Sequence, residues 1–252
     1  MGLEGRIALV TGSSRGIGAA IARRLGQEGA AVAVHGRDRK ALESVARSLR
    51  GEGIRVVEAP GDLTRAADLE RMRQRVEGEL GAPDILVANA GANLTRPGIP
   101  LEEIDESAWR ASVDANLTAT FLALQAFLPG MKRRGTGSIV TLSSAAARRP
   151  TLRSPIAYGA AKAGIELLTR QLAAELGPSG IRINCIAPET ILTERNLSQI
   201  PPDLREQLAR EHPVRRLGTP EDVANAVLYL ASEASGWVSG VVLDVAGGSV
   251  LA

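Results

Sequence analysis

Residues 7–18 read IALVTGSSRGIG, and this stretch decides the fold. The apolar run at residues 7–10 predicts a strand, and Gly12, Gly16 and Gly18 lead from it into a segment with helical spacing. Glycines let the backbone turn tightly and let a pyrophosphate lie against the amides of a helix N-terminus. In so glycine-rich a chain, a three-glycine pattern alone arises by chance with a probability of roughly 0.3. Its position between a strand and a helix therefore carries the prediction of a dinucleotide site.

Seven short apolar runs, rich in β-branched residues, predict strands along the chain. They lie at Ile7–Val10, Ala31–Val34, Arg55–Ala59, Ile85–Ala88, Ser138–Leu142, Ile181–Ile186 and Val241–Val245. Segments with helical spacing separate them, which is typical of a parallel sheet covered by helices. An eight-fold barrel is the competing architecture, because it has the same alternation of strands and helices. The first loop favours an α/β fold instead: a single Rossmann-type doubly wound parallel sheet of seven strands, with helices on both faces, in one domain over residues 1–252.

The composition argues against several classes of protein. Lysine and arginine total 30 against 28 acidic residues, and a net charge of +2 argues against nucleic-acid binding. No run approaches the roughly 18 uninterrupted apolar residues of a membrane span. The single cysteine, Cys185, cannot form an internal disulfide, and residues 1–6 leave no room for a secretion signal. We expect a cytoplasmic protein with no nucleic-acid, membrane or metal partner.

The spacing of Gly12, Gly16 and Gly18 differs from the common dinucleotide fingerprint, and further motifs follow it along nearly the whole chain. These motifs are Asp62-Leu63-Thr64, Asn89-Ala90-Gly91, Asn116, Ser143-Ser144, Tyr158 to Lys162, and Asn184 through Thr193. In them the chain resembles the short-chain dehydrogenase/reductase family. The resemblance implies an oxidoreductase that interconverts a ketone and a secondary alcohol by hydride transfer, with a nicotinamide cofactor and a tyrosine as acid/base.

Tyr158 and Lys162 are the sharpest part of this pattern. Positions i and i+4 of a helix share a face. Because the chain has so few tyrosines and lysines, only about 0.02 such pairs are expected by chance. A free phenol has a pKa near 10, so holding a phenolate at neutral pH costs about 4 kcal/mol. We expect Lys162 and the positively charged oxidised nicotinamide to lower the pKa of Tyr158, which can then exchange a proton with the substrate oxygen. The other interpretation is a half-buried tyrosine beside a surface lysine.

The predicted catalytic set comprises four side chains: Asn116, Ser144, Tyr158 and Lys162. Ser144 directly follows a predicted strand, and its hydroxyl can donate to the carbonyl oxygen of a substrate. Ser143 is the alternative donor, and either serine could merely cap local backbone. Asn116 falls in a predicted apolar helix over 108–127, where asparagine is a poor helix former. The resemblance implies that Asn116 supports a water connected to the lysine.

The end of the second predicted strand indicates which cofactor is bound. Enzymes that prefer NAD(H) usually place an acidic residue there to bind the adenine ribose, whereas this chain has Gly36. Arg37 follows, and Arg15 lies in the glycine loop, so two guanidinium groups can clamp a 2′-phosphate. The other interpretation is that these are two surface arginines among many. We predict NADP(H) in preference to NAD(H), and we expect His35 to be packed or solvated rather than catalytic.

The resemblance extends the predicted cofactor site along the chain. It implies contacts from Gly12, Ser14, Arg15, Gly16, Ile17, Gly18, Arg37, Asp62, Leu63, Asn89, Ala90, Gly91, Tyr158, Lys162, Pro188, Ile191 and Thr193. Asp62 would accept a hydrogen bond from the adenine amino group, and residues 89–91 would let the cofactor pass close over the fourth strand. The pair Pro188-Glu189 departs from the family's usual Pro-Gly.

Two less constrained segments, residues 145–156 and 192–213, are expected to select the substrate. The resemblance implies that the second segment is a mobile lid. Arg148, Arg149 and Arg153 in the first segment could attract an acyl carrier protein, coenzyme A or a carboxylate substrate. A solvated loop or a subunit contact is the other interpretation of these arginines.

The chain most resembles the 3-oxoacyl-[acyl-carrier-protein] reductase type, which implies a small-molecule or acyl-thioester carbonyl substrate. The apolar segment 241–252 resembles the one through which family tetramers associate, so we expect a homotetramer, with a dimer as the alternative. Three other functions stay open. They are a short-chain alcohol or sugar dehydrogenase that uses NAD(H), a non-catalytic NADP(H)-binding regulator, and a structural subunit of a larger complex.

Overall fold

The computed structural model describes residues 2–149, 151–152 and 154–250. Its centre is a seven-stranded sheet in which neighbouring strands are all parallel. The strands are β1 (Ile7–Val10), β2 (Ala31–Gly36), β3 (Val56–Pro60), β4 (Ile85–Ala88), β5 (Gly137–Leu142), β6 (Ile181–Pro188) and β7 (Val242–Val245). Their order across the sheet is β3-β2-β1-β4-β5-β6-β7, so the sheet is open, with β3 and β7 at its edges. The predicted doubly wound fold is confirmed, and the eight-fold barrel is excluded.

Helices connect the strands. Within the described residues they are α1 (Gly16–Gln27), α2 (Arg39–Gly51), α3 (Ala66–Glu79), α4 (Glu106–Val113), α5 (Ala119–Arg134), α6 (Ala145–Arg148), α7 (Ile156–Leu176), α8 (Glu194–Gln199), α9 (Pro202–Glu211) and α10 (Pro220–Ala231). Single 3-10 turns lie at Leu101–Glu103, Gly177–Ser179 and Glu233–Ser235. Over the same described residues, no helix is both long and apolar enough to cross a membrane.

The helices cover the two faces of the sheet with separate apolar cores. On one face α1, α2 and α10 bury side chains such as Ile21 and Val227. On the other face α3, α5 and α7 bury side chains such as Phe127. Successive strand residues point to opposite faces, so Leu9 belongs to the second core and Val10 to the first. This burial on both faces explains why the strands are continuous apolar runs in the sequence.

The strand order reverses at β1. From β1 the chain runs outward through β2 and β3, and then returns to β4 on the other side of β1. In open α/β sheets, ligands bind beyond the carboxyl ends of the strands at such a reversal. The loops that follow β1 and β4, at residues 11–15 and 89–91, meet there and bring their polar groups into one crevice.

The predicted helix over 108–127 is interrupted. α4 ends at Val113, α5 begins at Ala119, and the five residues between them form a π-helical turn. Such a turn usually reflects one residue inserted into an α-helix, and it is frequent at functional sites. Asn116 lies in this turn and is fully buried. The interruption therefore places a polar amide inside the protein rather than on a helix surface.

Candidate active site

The glycine loop leaves a backbone-lined cradle at the start of α1. Gly12 and Gly16 adopt positive φ angles of 65° and 55°, which side chains rarely tolerate. A Cβ on Gly12 would lie 2.8 Å from Cα of Ala90, and a Cβ on Gly18 would lie 2.4 Å from the carbonyl oxygen of Gly12. The first turn of α1 contains no acidic residue, and no side chain caps it. Helix amides left open in this way fit a pyrophosphate.

Asn89 ties the glycine loop to the end of β4. Its Nδ2 donates to the carbonyl oxygens of Thr11 at 2.9 Å and Gly12 at 3.1 Å. The backbone N–H of Ala90 donates to Thr11 Oγ1 at 2.9 Å. These bonds cross from one strand to its neighbour at the point where the strand order reverses. Asn89 thus shapes the loop through its side chain, in addition to any contact with a cofactor.

His35 supports the same loop from β2, and its structural role was missed by sequence reasoning. The ring is buried, and its Nδ1 accepts a hydrogen bond from the N–H of Gly12 at 3.0 Å. Its Nε2 lies 3.1 Å from the carbonyl oxygen of Gly61, which can only accept, so Nε2 carries the proton. Burial lowers the pKa of His35 to about 4. The neutral ring therefore bridges the glycine loop and the loop after β3.

A cavity of about 990 Å³ extends from the glycine loop toward the predicted catalytic residues. The predicted site residues that line it are Gly12, Ser14, Arg15, Gly16, Ile17, Gly18, Asn89, Ala90, Gly91, Ser144, Tyr158, Lys162, Pro188, Ile191 and Thr193. Arg37, Asp62, Leu63 and Asn116 lie outside this lining, and the side chain of Leu63 packs in the core. Lining residues that sequence reasoning did not single out include Ala41, Ser44, Val45, Asn93, Thr190, Glu194 and Asn196. Ala41, Ser44 and Val45 lie on α2, where nothing in their own pattern marks them.

The glycine loop leaves no room for a side chain at position 36. A Cβ at this position would lie 2.8 Å from Cβ and 2.9 Å from Oγ of Ser14 in the glycine loop. Real Cβ atoms essentially never approach other atoms that closely. The end of β2 therefore lacks an acidic side chain because the loop packs directly against it.

The two arginines that were predicted to clamp a 2′-phosphate each face a carboxylate. Arg15 Nη2 lies 2.7 Å from Asp38 Oδ2, and both side chains are exposed. Arg37 Nη1 lies 3.9 Å from Asp62 Oδ2. Asp62 Oδ1 also accepts from the backbone N–H and the hydroxyl of Thr64, and the first of these bonds is the main cause of its lowered pKa. Asp38 was missed because sequence reasoning looked for an acid only at position 36.

Tyr158 and Ser144 interact directly. The Ser144 side chain accepts from the backbone N–H of Ala146 at 3.2 Å, capping α6, and it also hydrogen-bonds to Tyr158. Burial raises the pKa of Tyr158, and the bond to Ser144 lowers it only in part. Desolvation of the phenol therefore opposes the lowering expected from Lys162 and the oxidised nicotinamide, which stays a prediction.

Lys162 is buried, so a surface lysine beside Tyr158 is excluded. Its Nζ donates to the carbonyl oxygen of Leu142 at 2.8 Å and lies 5.6 Å from the centre of the Tyr158 ring. Burial lowers the pKa of Lys162 to about 8. Ser143 is also buried, and its hydroxyl makes hydrogen bonds to the carbonyl of Lys162 and to Glu166. Its hydroxyl is thereby occupied inside the protein, which favours Ser144 as the substrate-facing serine.

Asn116 presents an unused acceptor toward Lys162. Its Nδ2 donates to the carbonyl oxygens of Ala92 and Ser112, both at 2.8 Å. Its Oδ1 is buried and has no hydrogen-bond partner within the described residues. A Cβ on Gly91 would lie 2.6 Å from this Oδ1 and 3.2 Å from Lys162 Nζ. Glycine at position 91 therefore keeps open the space between an amide acceptor and an ammonium donor.

A second cavity, of about 910 Å³, meets the first at Ser144 and Tyr158. The two segments that were predicted to select the substrate form much of its wall, with Ala145, Ala146, Arg149, Leu152, Pro155, Ile200, Leu204, Leu208, Glu211 and His212. Asn93, Pro97, Glu189, Thr190 and Ser249 also line it. The first cavity thus contains the glycine loop, and the second contains the two segments that were predicted to select the substrate. Ser144 and Tyr158 lie where a cofactor and a substrate would come into contact.

The three arginines of segment 145–156 differ in their surroundings. Arg148 is mostly buried and is held 3.2 Å from Asp244 and 3.6 Å from Glu166. Arg149 is half exposed and lies in the second cavity. Arg153 lies outside the described residues. Arg148 is therefore not free to attract an acidic partner, because it already pairs with two carboxylates.

Comparison with known proteins gives consistent matches over almost the whole chain. Residues 12–249 match the family model described as enoyl-(acyl carrier protein) reductase. The cis-4-hydroxycyclohexanecarboxylate dehydrogenase of Sinomonas cyclohexanicum is 40% identical over 243 residues, which cover 96% of each chain. Human dehydrogenase/reductase SDR family member 4 is 38% identical over 249 residues, which cover 98% of this chain and 88% of that protein.

Solved structures agree with this result. A 7α-hydroxysteroid dehydrogenase, complexed with NADH and 7-oxo glycochenodeoxycholic acid, has a TM-score of 0.92 at 34% identity, covering 99% of this chain and 96% of that one. The 3-oxoacyl-[acyl-carrier protein] reductase of Brucella melitensis has a TM-score of 0.92 at 34% identity, with coverages of 99% and 92%. A gluconate 5-dehydrogenase of Burkholderia cenocepacia, in complex with NADP and tartrate, has a TM-score of 0.90 at 33% identity, with coverages of 98% and 96%.

Proposed function

The chain belongs to the short-chain dehydrogenase/reductase family, whose members are oxidoreductases of alcohols and ketones, and on that premise we propose that it is an NADP(H)-dependent ketone reductase. The proposal rests above all on the meeting of the two cavities at Ser144 and Tyr158. A nicotinamide in the first cavity and a carbonyl in the second would share these two side chains. We further propose that the chain acts as one catalytic domain with residues 192–213 as its mobile lid.

The residues present fit a nicotinamide dinucleotide. The uncapped start of α1 and the glycines that line the first cavity beside it suit a pyrophosphate, and the unpartnered Oδ1 of Asn116 suits a water near Lys162. When bound, the reduced nicotinamide supplies the hydride that adds to the carbonyl carbon. Tyr158 Oη then gives its proton to the carbonyl oxygen, so one hydride and one proton convert the ketone to a secondary alcohol.

The pKa of Tyr158 suits the reduction direction. Because burial raises this pKa, the phenol keeps its proton at neutral pH and has it available for the carbonyl oxygen. The Ser144 hydroxyl, already bonded to Tyr158, can donate to the same oxygen as charge builds on it. Both donors are fixed before the substrate arrives, which is how preorganised polar groups stabilise a transition state.

Lys162 and Asn116 supply the return path for the proton. The ammonium of Lys162 has a lowered pKa of about 8, so it can exchange a proton near neutral pH. Asn116 Oδ1 can hold a water beside it, because this buried acceptor faces the space kept open by Gly91. A water held there would connect the ammonium to solvent and let Tyr158 regain its proton after each turnover.

We propose NADP(H) over NAD(H) on the groups at the end of β2. No carboxylate can stand at Gly36, because Ser14 fills that space. Arg15 lines the first cavity, and Arg37 is an exposed cation directly after β2. A 2′-phosphate would compete with Asp38 for Arg15. A doubly charged phosphate attracts a guanidinium more strongly than one carboxylate does.

For assembly we propose a homotetramer, built in part on the β7 edge of the sheet. Trp237 is fully exposed there, and Val241 and Leu243 are each more than a third exposed. Exposed apolar side chains on and just before β7 favour a contact between subunits there. Light scattering during size-exclusion chromatography would give the mass of four chains; the mass of one chain would contradict this part of the proposal. The cytoplasmic location stays a prediction.

The decisive experiment combines cofactor titration with turnover. Fluorescence titration of the purified protein with NADPH and NADH is expected to show tighter binding of NADPH. Absorbance of the nicotinamide would then be followed with acetoacetyl-coenzyme A, cyclohexanone and 4-oxocyclohexanecarboxylate, the last chosen because a relative acts on the corresponding alcohol. Binding without turnover of any ketone would favour the regulator, and co-purification with a larger complex would favour the structural subunit.

The 3-oxoacyl thioester is the second candidate substrate class. It is favoured by the close structural likeness to the Brucella melitensis reductase. Turnover of acetoacetyl-coenzyme A well above that of both cyclic ketones would select it.

A further inference from the structure

The second cavity contains a guanidinium whose donors are largely unused. Arg149 directly follows α6, and its backbone N–H donates to the carbonyl oxygen of Ala145 at 2.8 Å. Its side chain is 51% exposed and lines the same cavity as Ser144 and Tyr158. The backbone of Arg149 is therefore fixed relative to the reacting groups, while its charged end is accessible from the cavity.

Glu189 holds this guanidinium only loosely. Arg149 Nη2 lies 3.5 Å from Glu189 Oε2, which exceeds the roughly 2.7–2.9 Å of a charge-assisted hydrogen bond. Glu189 is the one ion-pair partner of Arg149 among the residues the structure describes, and its carboxylate also accepts from the Ser249 hydroxyl at 3.3 Å. The neighbouring Arg148, by contrast, places two nitrogens 3.2 Å from the carboxylate oxygens of Asp244.

We propose that Arg149 binds a carboxylate on the substrate, and that Glu189 is the group this carboxylate displaces. The planar guanidinium can donate two parallel hydrogen bonds to a carboxylate, which the present contact with Glu189 does not provide. Glu189 keeps the guanidinium from being an unpaired charge. This inference rests on the proposed ketone chemistry, because it names a second group on the same substrate.

The short helix α6 separates the backbones of the two residues that would hold the substrate. Ser144 caps this helix and Arg149 follows it, so their Cα atoms are separated by about 7.5 Å along the helix axis. We therefore expect a substrate whose carboxylate lies apart from its ketone.

Part of the cavity wall is apolar. Pro97, Leu152, Ile200, Leu204 and Leu208 line the cavity, beside polar residues such as Asn93, Glu211 and His212. The substrate class is therefore an oxo acid with a hydrocarbon body, its ketone at Ser144 and Tyr158 and its carboxylate at Arg149. A carrier protein is disfavoured, because Arg149 lies in the cavity that holds the reacting groups.

Kinetics with two matched ketones would test the proposal. We would compare 4-oxocyclohexanecarboxylate with its neutral carboxamide, using wild type, Arg149→Met, Glu189→Gln and the surface control Arg110→Met. Arg149→Met should lower kcat/KM for the carboxylate about 10- to 100-fold, mainly through KM, and leave the carboxamide within about threefold. Glu189→Gln should raise kcat/KM for the carboxylate about threefold or more, and Arg110→Met should change neither.

Binding gives a readout that does not depend on turnover. Calorimetry of the NADP⁺-saturated protein with cyclohexanecarboxylate and cyclohexanecarboxamide should show a carboxylate preference that Arg149→Met abolishes, with an unchanged melting temperature. If that preference is found but no ketone is turned over, the proposed function fails and the carboxylate site stands. Three results would overturn the proposal. They are equal losses for both probes, no wild-type preference for the carboxylate, and an effect of Arg149→Met that is confined to acetoacetyl-coenzyme A.

Discussion

The two halves of the crevice are built differently. In the cofactor half, the N–H of Gly12 and the side chain of Asn89 make hydrogen bonds of 2.9–3.1 Å, and a Cβ on Gly18 would meet backbone at 2.4 Å. In the substrate half, Arg149 and Glu189 are 3.5 Å apart and Leu152 is almost fully exposed. The half that receives an invariant ligand is closely packed, and the half that selects a substrate keeps side chains that can move.

This difference indicates where the protein tolerates change. A substitution in the cofactor half displaces backbone, because neighbouring atoms already lie at contact distance. A substitution in the substrate half removes or adds a side chain that few neighbours constrain. We therefore expect stability and cofactor affinity to depend on the first half, and the choice of ketone on the second.

The largest effect is expected where the two halves meet. Tyr158→Phe removes the proton donor and should lower kcat about 1,000-fold, because general acid catalysis contributes factors of that order. The dissociation constant for NADPH should stay within about threefold, since the ring is retained. The other tyrosine, Tyr229, is partly exposed outside the crevice, and Tyr229→Phe should leave both values unchanged. Full activity of Tyr158→Phe would remove Tyr158 from the catalytic set.

The next largest effect concerns pH and the buried ring of His35. Its pKa is about 4 in the folded protein and about 6.5 when unfolded, so the folded state favours the neutral ring. This contribution is complete above pH 6.5 and is lost as pH falls from 6.5 to 4, an amount of about 3 kcal/mol in the free energy of unfolding. The nearby charges of Asp62 and Arg37 act in opposite directions and are smaller than the effect of burial.

Urea unfolding at several pH values would measure this loss. His35→Gln cannot titrate, so its stability should fall less steeply than that of the wild type between pH 6.5 and 4. Carboxylates elsewhere titrate in both proteins, and the difference between the two curves isolates His35. Parallel curves would contradict the assigned neutral state.

A third test compares two glycines. Gly18→Ala inserts a Cβ 2.4 Å from the Gly12 carbonyl oxygen and should cost about 1–3 kcal/mol in the free energy of unfolding, with weaker NADPH binding. Gly78 lies in α3 with no atom within 4 Å of an added Cβ, so Gly78→Ala should be neutral or stabilising by up to about 1 kcal/mol. Thermal melts and NADPH titrations of both variants check this. Equal effects would show that the cofactor half is not specially constrained.

The smallest expected effect is on cofactor preference. Arg37→Ala should weaken NADPH binding about three- to tenfold and leave NADH unchanged, because its side chain is largely exposed. Asp38→Asn keeps a good cap for α2 but frees Arg15, and should strengthen NADPH binding by a similar factor. Titration with both cofactors separates these outcomes. Equal changes for NADPH and NADH would contradict the assignment of both arginines to the 2′-phosphate.

The strands could be predicted closely, because buried parallel strands are continuous apolar runs. Their ends were less accurate: β2 continues through His35 and Gly36, and β6 continues to Pro188. The predicted strands end before these residues, and glycine and proline do not favour strands by themselves. Pairing with β3 and β7 extends the strands beyond what local preference indicates.

The catalytic residues could be proposed from spacing within one helix or next to one strand, whereas contacts between distant segments could not. The bridge from Gly12 through His35 to Gly61 depends on how two loops meet strand β2, and no local pattern encodes it. The contact between Arg149 and Glu189 likewise joins residues 40 positions apart. The π-helical turn around Asn116 was missed because its residues are compatible with an ordinary α-helix.

The meeting of the two cavities at Ser144 and Tyr158 also bears on the handedness of the product. With the carbonyl oxygen fixed by these two side chains, a ketone turns one of its faces toward the cofactor cavity. For the ketone to turn its other face toward the cofactor cavity, its two substituents would have to swap positions. The one beside Arg149 would then lie against the apolar side chains. A difference of about 2.7 kcal/mol between these orientations gives a product of 99% one enantiomer. Chiral chromatography of the alcohol from an unsymmetrical ketone should therefore show a single mirror-image form.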